Sequence, residues 1–151
     1  MNTLAIIGLF TSAFVAATLF PAQSEVVLVA TLAVGAAPVW VLVGVATIGN
    51  TLGSITNWLI GRFFIRYKDR RWFPVKSASL VRAEKWYRKY GRWSLLLSWV
   101  PIIGDPLTLA AGVLREPLFS FTLITAFAKF ARYLVVTAIA LELLGSTWIF
   151  V

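Results

Sequence analysis

Four ionisable side chains stand inside otherwise apolar stretches of this chain: Glu25, Asp105, Lys129 and Arg132. Their charges cancel. At the centre of a bilayer each costs about 2.5–3.5 kcal/mol, so such groups pair with one another or face a polar cavity. Two buried ion pairs that fix helix register are one arrangement that satisfies them. The other is a transport or proton-coupling site, because a carboxylate caught between desolvation and a nearby cation can exchange protons. Conventional catalysis has little to work with. The chain has no cysteine and no histidine, which removes thiolate chemistry, the usual zinc sites and the commonest general base. An intramembrane aspartyl protease needs paired aspartates, and Asp105 stands alone in the apolar regions. No enzyme activity, cofactor or metal is expected.

The elements that must position these charges follow from the prolines. Ser98 to Gly112 reads SWVPIIGDPLTLAAG. The apolar run from Trp93 to Leu114 is long enough for a span, which needs about 20 residues. Its centre reads as a break, however. Pro101 and Pro106 each remove a backbone donor, and Gly104 suits a sharp bend. The expectation is a re-entrant hairpin of two half-helices turning at PIIGDP, with Asp105 at the turn. Irregular backbone at that depth survives only under protein or beside a water-filled cavity. Leu4 to Phe20 and Val26 to Ala36 are likewise short for full spans, and a first hairpin with its apex from Pro21 to Glu25 is expected. A secretory signal is disfavoured, since no positive n-region or small-residue cleavage site is visible.

Two longer segments, Val39 to Phe64 after Pro38 and Leu118 to about Leu144 after Pro117, are expected to cross the membrane. Thr47, Asn50, Ser54 and Asn57 form one polar stripe, and Thr122, Thr125, Lys129 and Arg132 form another. Ser24, Asn50, Ser54, Asn57, Ser98 and Thr125 are the expected cavity-lining residues, with interhelical hydrogen bonding the alternative role for the first stripe. Gly49 and Gly53 give a small-xxx-small spacing for close helix contact.

Composition agrees with a membrane protein of one domain. Of 151 residues 60% are hydrophobic, and mean hydropathy is +0.85. The net charge of +8 lies in one loop, where ten Lys/Arg face Asp69 and Glu84 between Arg66 and Arg92. That concentration marks a cytoplasmic loop rather than a nucleic-acid surface. Within it a helix to Tyr90 is expected, capped by Ser77 or Ser79 and stopped by Gly91. Leu80, Ala83, Tyr87 and Tyr90 share a face, and Arg82, Lys85, Lys89 and Arg92 lie on others, where they would bind anionic headgroups.

An internal repeat ties these parts together. Pro21, Glu25, Pro38 and a striped span correspond to Pro101, Asp105, Pro117 and a second striped span. One hairpin and one crossing per unit would invert the second unit relative to the first. The expected fold is an all-α polytopic membrane protein, with repeat one at 4–64, a basic amphipathic cytoplasmic linker at 65–92 and repeat two at 93–144.

FPAQSE, ATIGNTLGSITNWLIGRFF, LLSWVPIIGDPLTLAAG and KFARY together resemble the DedA superfamily, also called the VTT or SNARE-associated family, and its short branch most closely. The resemblance covers about Phe10 to Glu142. It implies a single bacterial inner-membrane domain over 1–151 with two opposed re-entrant hairpins. It also implies lipid translocation linked to the proton-motive force, with undecaprenyl phosphate and phosphatidylethanolamine among the family's cargoes and scramblases among its eukaryotic members. Glu25 matches the family's functional acid after Pro-x-x-Ser. The second hairpin departs from the family's Arg-x-x-Pro-x-x-Arg, with Ser98 and Gly104 at the arginine positions around Pro101. Asp105, Lys129 and Arg132 are the candidates to replace that charge.

The reading is therefore a lipid flippase or scramblase, multi-pass, with both termini periplasmic and membrane lipids as partners. Homo-oligomerisation is left open. A non-transporting membrane-organising factor and a carrier of a small ion or solute are the alternatives.

Overall fold

The computed structural model describes residues 2–17, 23–64, 70–71, 76–100 and 103–145. Among these residues the chain forms α1 (Thr3–Ala16), α2 (Gln23–Ala33), α3 (Val39–Phe64), α4 (Ser77–Tyr90), a 3-10 helix (Gly91–Trp99), α5 (Gly104–Val113) and α6 (Leu118–Leu143), with no strand. Pro21 and Pro101, expected at the two hairpin turns, lie outside the described residues.

Helix length sorts these elements. α3 and α6 have 26 residues each, about 39 Å at 1.5 Å per residue, enough to cross a hydrocarbon core of about 30 Å. α1, α2 and α5 have 14, 11 and 10 residues and fall short of it. Both long helices start where a proline sets the entry: the Pro38 carbonyl accepts from the Val41 and Leu42 amides, and Pro117 precedes Leu118 as the cap of α6.

The short helices come in pairs whose open ends are tied. The Asn2 amide donates to the Ala36 carbonyl at 2.8 Å, joining the start of α1 to the end of α2. Asn2 also caps α1, its Oδ1 accepting from the Ala5 amide at 3.3 Å. In the second half, Arg92 and Tyr87 both reach Glu116, just past α5. Each unit thus begins and ends on one side of the molecule.

α1 packs on α3 and the 3-10 helix packs on α6, while α5 lies against α3 and α2 reaches α6. Glycines set two of these distances. A Cβ at Gly49 or Gly53 would run into the Phe10 or Phe14 carbonyl of α1, as the small-xxx-small spacing predicts. Gly61 and Gly112 do the same for α3 and α5, where an added Cβ would strike the Leu109 and Trp58 carbonyls respectively. α5 is buried from Pro106 to Gly112, consistent with a helix apolar on every side. The outward faces of α3 and α6 carry Ile48, Phe63, Leu123, Phe127 and Ile139, all more than half exposed. So much exposed apolar surface suits lipid rather than water.

The second pair of short helices differs from the expected hairpin at three points. Its first arm is a 3-10 helix, whose three-residue period places Leu95 and Ser98 on one buried face. Gly104 and Pro106 form the first turn of α5 instead of the bend. Proline is tolerated there because a first-turn amide has no intrahelical partner anyway. Gly104 does not have a positive φ; its missing side chain instead lets the Ser98 carbonyl approach closely. In α4, Lys76 rather than a serine occupies the cap position, with no side-chain bond. Gly91 ends that helix at φ 62°, as expected. Leu80, Ala83 and Tyr87 are buried, but Tyr90 faces outward.

Candidate functional site

Ser24 and Glu25 sit in the first turn of α2, opposite Arg132 and Tyr133 of α6. Arg132 sets two nitrogens on one oxygen of Glu25, Nη2 at 2.5 Å and Nε at 2.7 Å. The Arg132 side chain is 6% exposed and that of Glu25 32%, so the pair has one dry end and one open end. Beside it the Tyr133 hydroxyl donates to Ser24 Oγ at 3.0 Å and accepts from Asn50 Nδ2 at 2.9 Å. Tyr133 is wholly buried. Three helices thus meet on one phenol oxygen.

α3 carries the polar line onward. Asn57 lies two turns beyond Asn50, about 10 Å along the axis. Its Nδ2 donates to the Ala17 carbonyl at 2.7 Å and reaches Thr108 Oγ1 of α5 at 3.4 Å. The Thr108 hydroxyl in turn donates to the Asp105 carbonyl at 2.8 Å. A buried polar line therefore runs from the first helix pair to the second. Asp105 is half-buried and lies within electrostatic reach of Lys129 and Arg132. Lys129 is 2% exposed. Among the described residues the ion pairs are Arg132–Glu25 and Arg92–Glu116. Of the two pairs that four charges could form, Glu25–Arg132 is closed, and Asp105 and Lys129 act on each other through space.

All six expected cavity-lining residues, Ser24, Asn50, Ser54, Asn57, Ser98 and Thr125, are buried. Ser54 spends its hydroxyl on the Asn50 carbonyl of its own helix. Four of the others keep an atom that no protein group bonds: Asn50 Oδ1, Asn57 Oδ1, Ser98 Oγ and Thr125 Oγ1. A buried polar atom left bare costs about 1–3 kcal/mol, and native proteins normally satisfy such atoms. Four on facing elements describe an interior suited to water or a polar guest. On the α3 stripe Asn50 bonds across helices through Nδ2, while its Oδ1 has no protein partner.

Sequence reasoning overlooked Tyr133, Thr108 and Glu116. Tyr133 follows Lys129 by four residues, so the helical period alone places it on the charged face. Glu116 is 9% exposed at the α5–α6 turn, accepting from the Tyr87 hydroxyl at 2.6 Å, with Arg92 Nε at 3.5 Å. Its carbonyl accepts from Trp58 Nε1 at 3.1 Å. Burial, and then the bond to Glu116, push the Tyr87 hydroxyl above the usual tyrosine range, so it stays a donor. This latch holds α4 to the second unit. It also engages Arg92, whereas Arg82, Lys85 and Lys89 remain exposed on α4.

The chain matches the VTT domain family model over residues 20–141. It is 42% identical to the inner membrane protein YqaA of Escherichia coli over 147 residues, 97% of each chain. An uncharacterized protein of Haemophilus influenzae is 36% identical over 132 residues, 83% of this chain and 80% of that one. The undecaprenyl phosphate transporter A of Staphylococcus aureus is 33% identical over 89 residues, 54% of this chain and 44% of the transporter. No solved structure matches.

Proposed function

The chain belongs to the VTT-domain, or DedA, family, and from that membership we propose that it moves a lipid between the leaflets of the bacterial inner membrane, with proton transfer coupled to the movement. α3 and α6 cross the bilayer. The two short helix pairs enter from opposite sides and return, each closed at its open end by the Asn2–Ala36 bond or the Glu116 latch. The matching packing of α1 on α3 and of the 3-10 helix on α6, with α5 lying against α3 and α2 touching both α3 and α6, supports an inverted repeat. Transporter-named relatives that share part of the sequence support a lipid cargo.

The observation that carries this reading is the buried polar line from Glu25–Arg132 past Tyr133, Asn50 and Asn57 to Thr108, which ends on the backbone carbonyl of Asp105 and is flanked by unbonded polar atoms. A headgroup crossing the hydrocarbon needs such a path, while its tails stay in lipid. A soluble solute would need a closed two-gated cavity, which two crossings per chain wall off poorly. Glu25 and Asp105 bind and release the proton, and Lys129 and Arg132 hold the headgroup's anionic group. The cations come from α6 because Gly104 lies against the Ser98 carbonyl, leaving no room for an arginine there on this backbone.

The test is purified protein in liposomes with fluorescent phospholipids and dithionite bleaching of the outer leaflet. Bleaching beyond the outer-leaflet fraction, accelerated by a pH gradient and lost in Asp105→Asn, is the expected result. Bleaching that stops at that fraction for every headgroup, with and without a gradient, rejects the reading. The tightly closed Glu25–Arg132 pair favours a second reading in that event, a membrane-organising factor whose polar centre only holds helices together.

A further inference from the structure

α4 does not lie flush on the second helix pair. Between them runs a groove of about 190 Å³ whose buried floor is Ala83, Pro106 and Leu107, with Leu97 half-buried beside them and Arg82 and Trp86 exposed at its mouth. An apolar cavity of about 150 Å³ accepts a benzene-sized guest, so this groove takes a segment of one acyl chain and not a whole lipid. Of the other cations nearby, Lys89 of α4 lies over the Tyr90 ring at 5.2 Å and Arg92 of the 3-10 helix faces Glu116, while Lys85 and Arg88 are exposed on α4 without lining the groove. Among the described residues Arg82 makes no ion pair and stands where a headgroup phosphate would sit. Trp86 beside it has the amphipathic character that favours the headgroup layer.

We propose that this groove is a binding site for one anionic glycerophospholipid of the cytoplasmic leaflet, one chain threaded between α4 and α5 and the phosphate on Arg82. It rests on the membrane placement in the proposed function but not on transport. A chain gains little by leaving lipid for an equally apolar groove, so the tail fixes position and Arg82 supplies the selection among headgroups. A second copy of the protein is a poor occupant, because it would bring its own +8 charge to the same basic face.

Native mass spectrometry of the detergent-purified full chain tests this with phosphatidylglycerol, phosphatidylcholine and glycerol phosphate as probes. One phosphatidylglycerol per chain should survive activation that strips phosphatidylcholine, and chainless glycerol phosphate should not bind. Arg82→Gln should lower the preference for phosphatidylglycerol about fivefold, the worth of one cation at a membrane surface. Ser79→Trp, which fills the mouth, should lower retention of both lipids. Ser79 and Arg82 are exposed, so both variants should elute like the parent. Equal retention of the two lipids, or a phosphatidylglycerol preference that survives both substitutions, overturns the site. A dimer that Ser79→Trp abolishes would give the groove to a second copy instead. Binding without scrambling in liposomes would keep this site and reject lipid transfer.

Discussion

At the scale of residues, Glu25 and Arg132 depend on each other unequally. Arg132 is buried and gives two donors to one carboxylate oxygen, whereas a third of the Glu25 side chain stays open. Removing the cation strands a partly buried carboxylate, and breaking a buried pair costs about 3–5 kcal/mol. With Glu25 partly open, the lower end of that range applies. Glu25→Gln keeps an oxygen for Arg132 and loses only the charge, a cost of about 1–2 kcal/mol. Arg132→Ala should therefore lower the thermal stability of the detergent-solubilised protein clearly more than Glu25→Gln does. Glu25→Gln and Asp105→Asn should stay folded while losing activity in a complementation assay. Equal destabilisation by Arg132→Ala and Glu25→Gln, or full complementation by both amide variants, would return the charges to a packing role. The four charges were legible because charge in an apolar run is conspicuous. Tyr133 was not, since a tyrosine in a span reads as an ordinary interfacial or core aromatic until its hydroxyl is seen between Ser24 and Asn50.

At the scale of elements, the spans were legible to within a residue because prolines at 38 and 117 start them and one polar stripe persists along each. The 3-10 helix was not. Over nine residues of GRWSLLLSW, periods of 3.0 and 3.6 place the apolar positions almost alike. Pro106 misled for a related reason: it breaks a helix from within but is harmless in a first turn. The α3–α5 crossing rests on Gly61 and Gly112, each facing the other helix's backbone. Backbone cannot move aside as a side-chain tip can, so Gly112→Ala should cost about 1–3 kcal/mol as overpacking, despite alanine's better helix propensity. Gly8→Ala in α1 meets nothing within 4 Å and should be neutral or slightly stabilising. Melting curves of the two variants in one detergent check this, and a Gly112→Ala protein as stable as the parent would show that the helices part without cost.

At the scale of the whole molecule, charge and connectivity together predict one orientation. Arg62 near the end of α3 and the cations of α4 gather at one end of the molecule, and positively charged loops stay on the cytoplasmic side. The start of α1 is bonded to the end of α2, so both lie at the end of the molecule where α3 begins. α6 carries the chain back from the Glu116 latch, which puts its last turn at that same end. If α3 and α6 both span, Thr3 and Leu144 share the periplasmic side and Lys76 lies opposite. The chain has no native cysteine, so single cysteines at these three exposed positions report without background. An impermeant maleimide added to intact spheroplasts should label Thr3→Cys and Leu144→Cys, while Lys76→Cys should react only after the membrane is opened. Labelling of Lys76→Cys in sealed spheroplasts would invert the molecule. Labels on opposite sides for Thr3→Cys and Leu144→Cys would mean that one of the short helix pairs crosses the membrane, and the opposed re-entrant arrangement would fall with it.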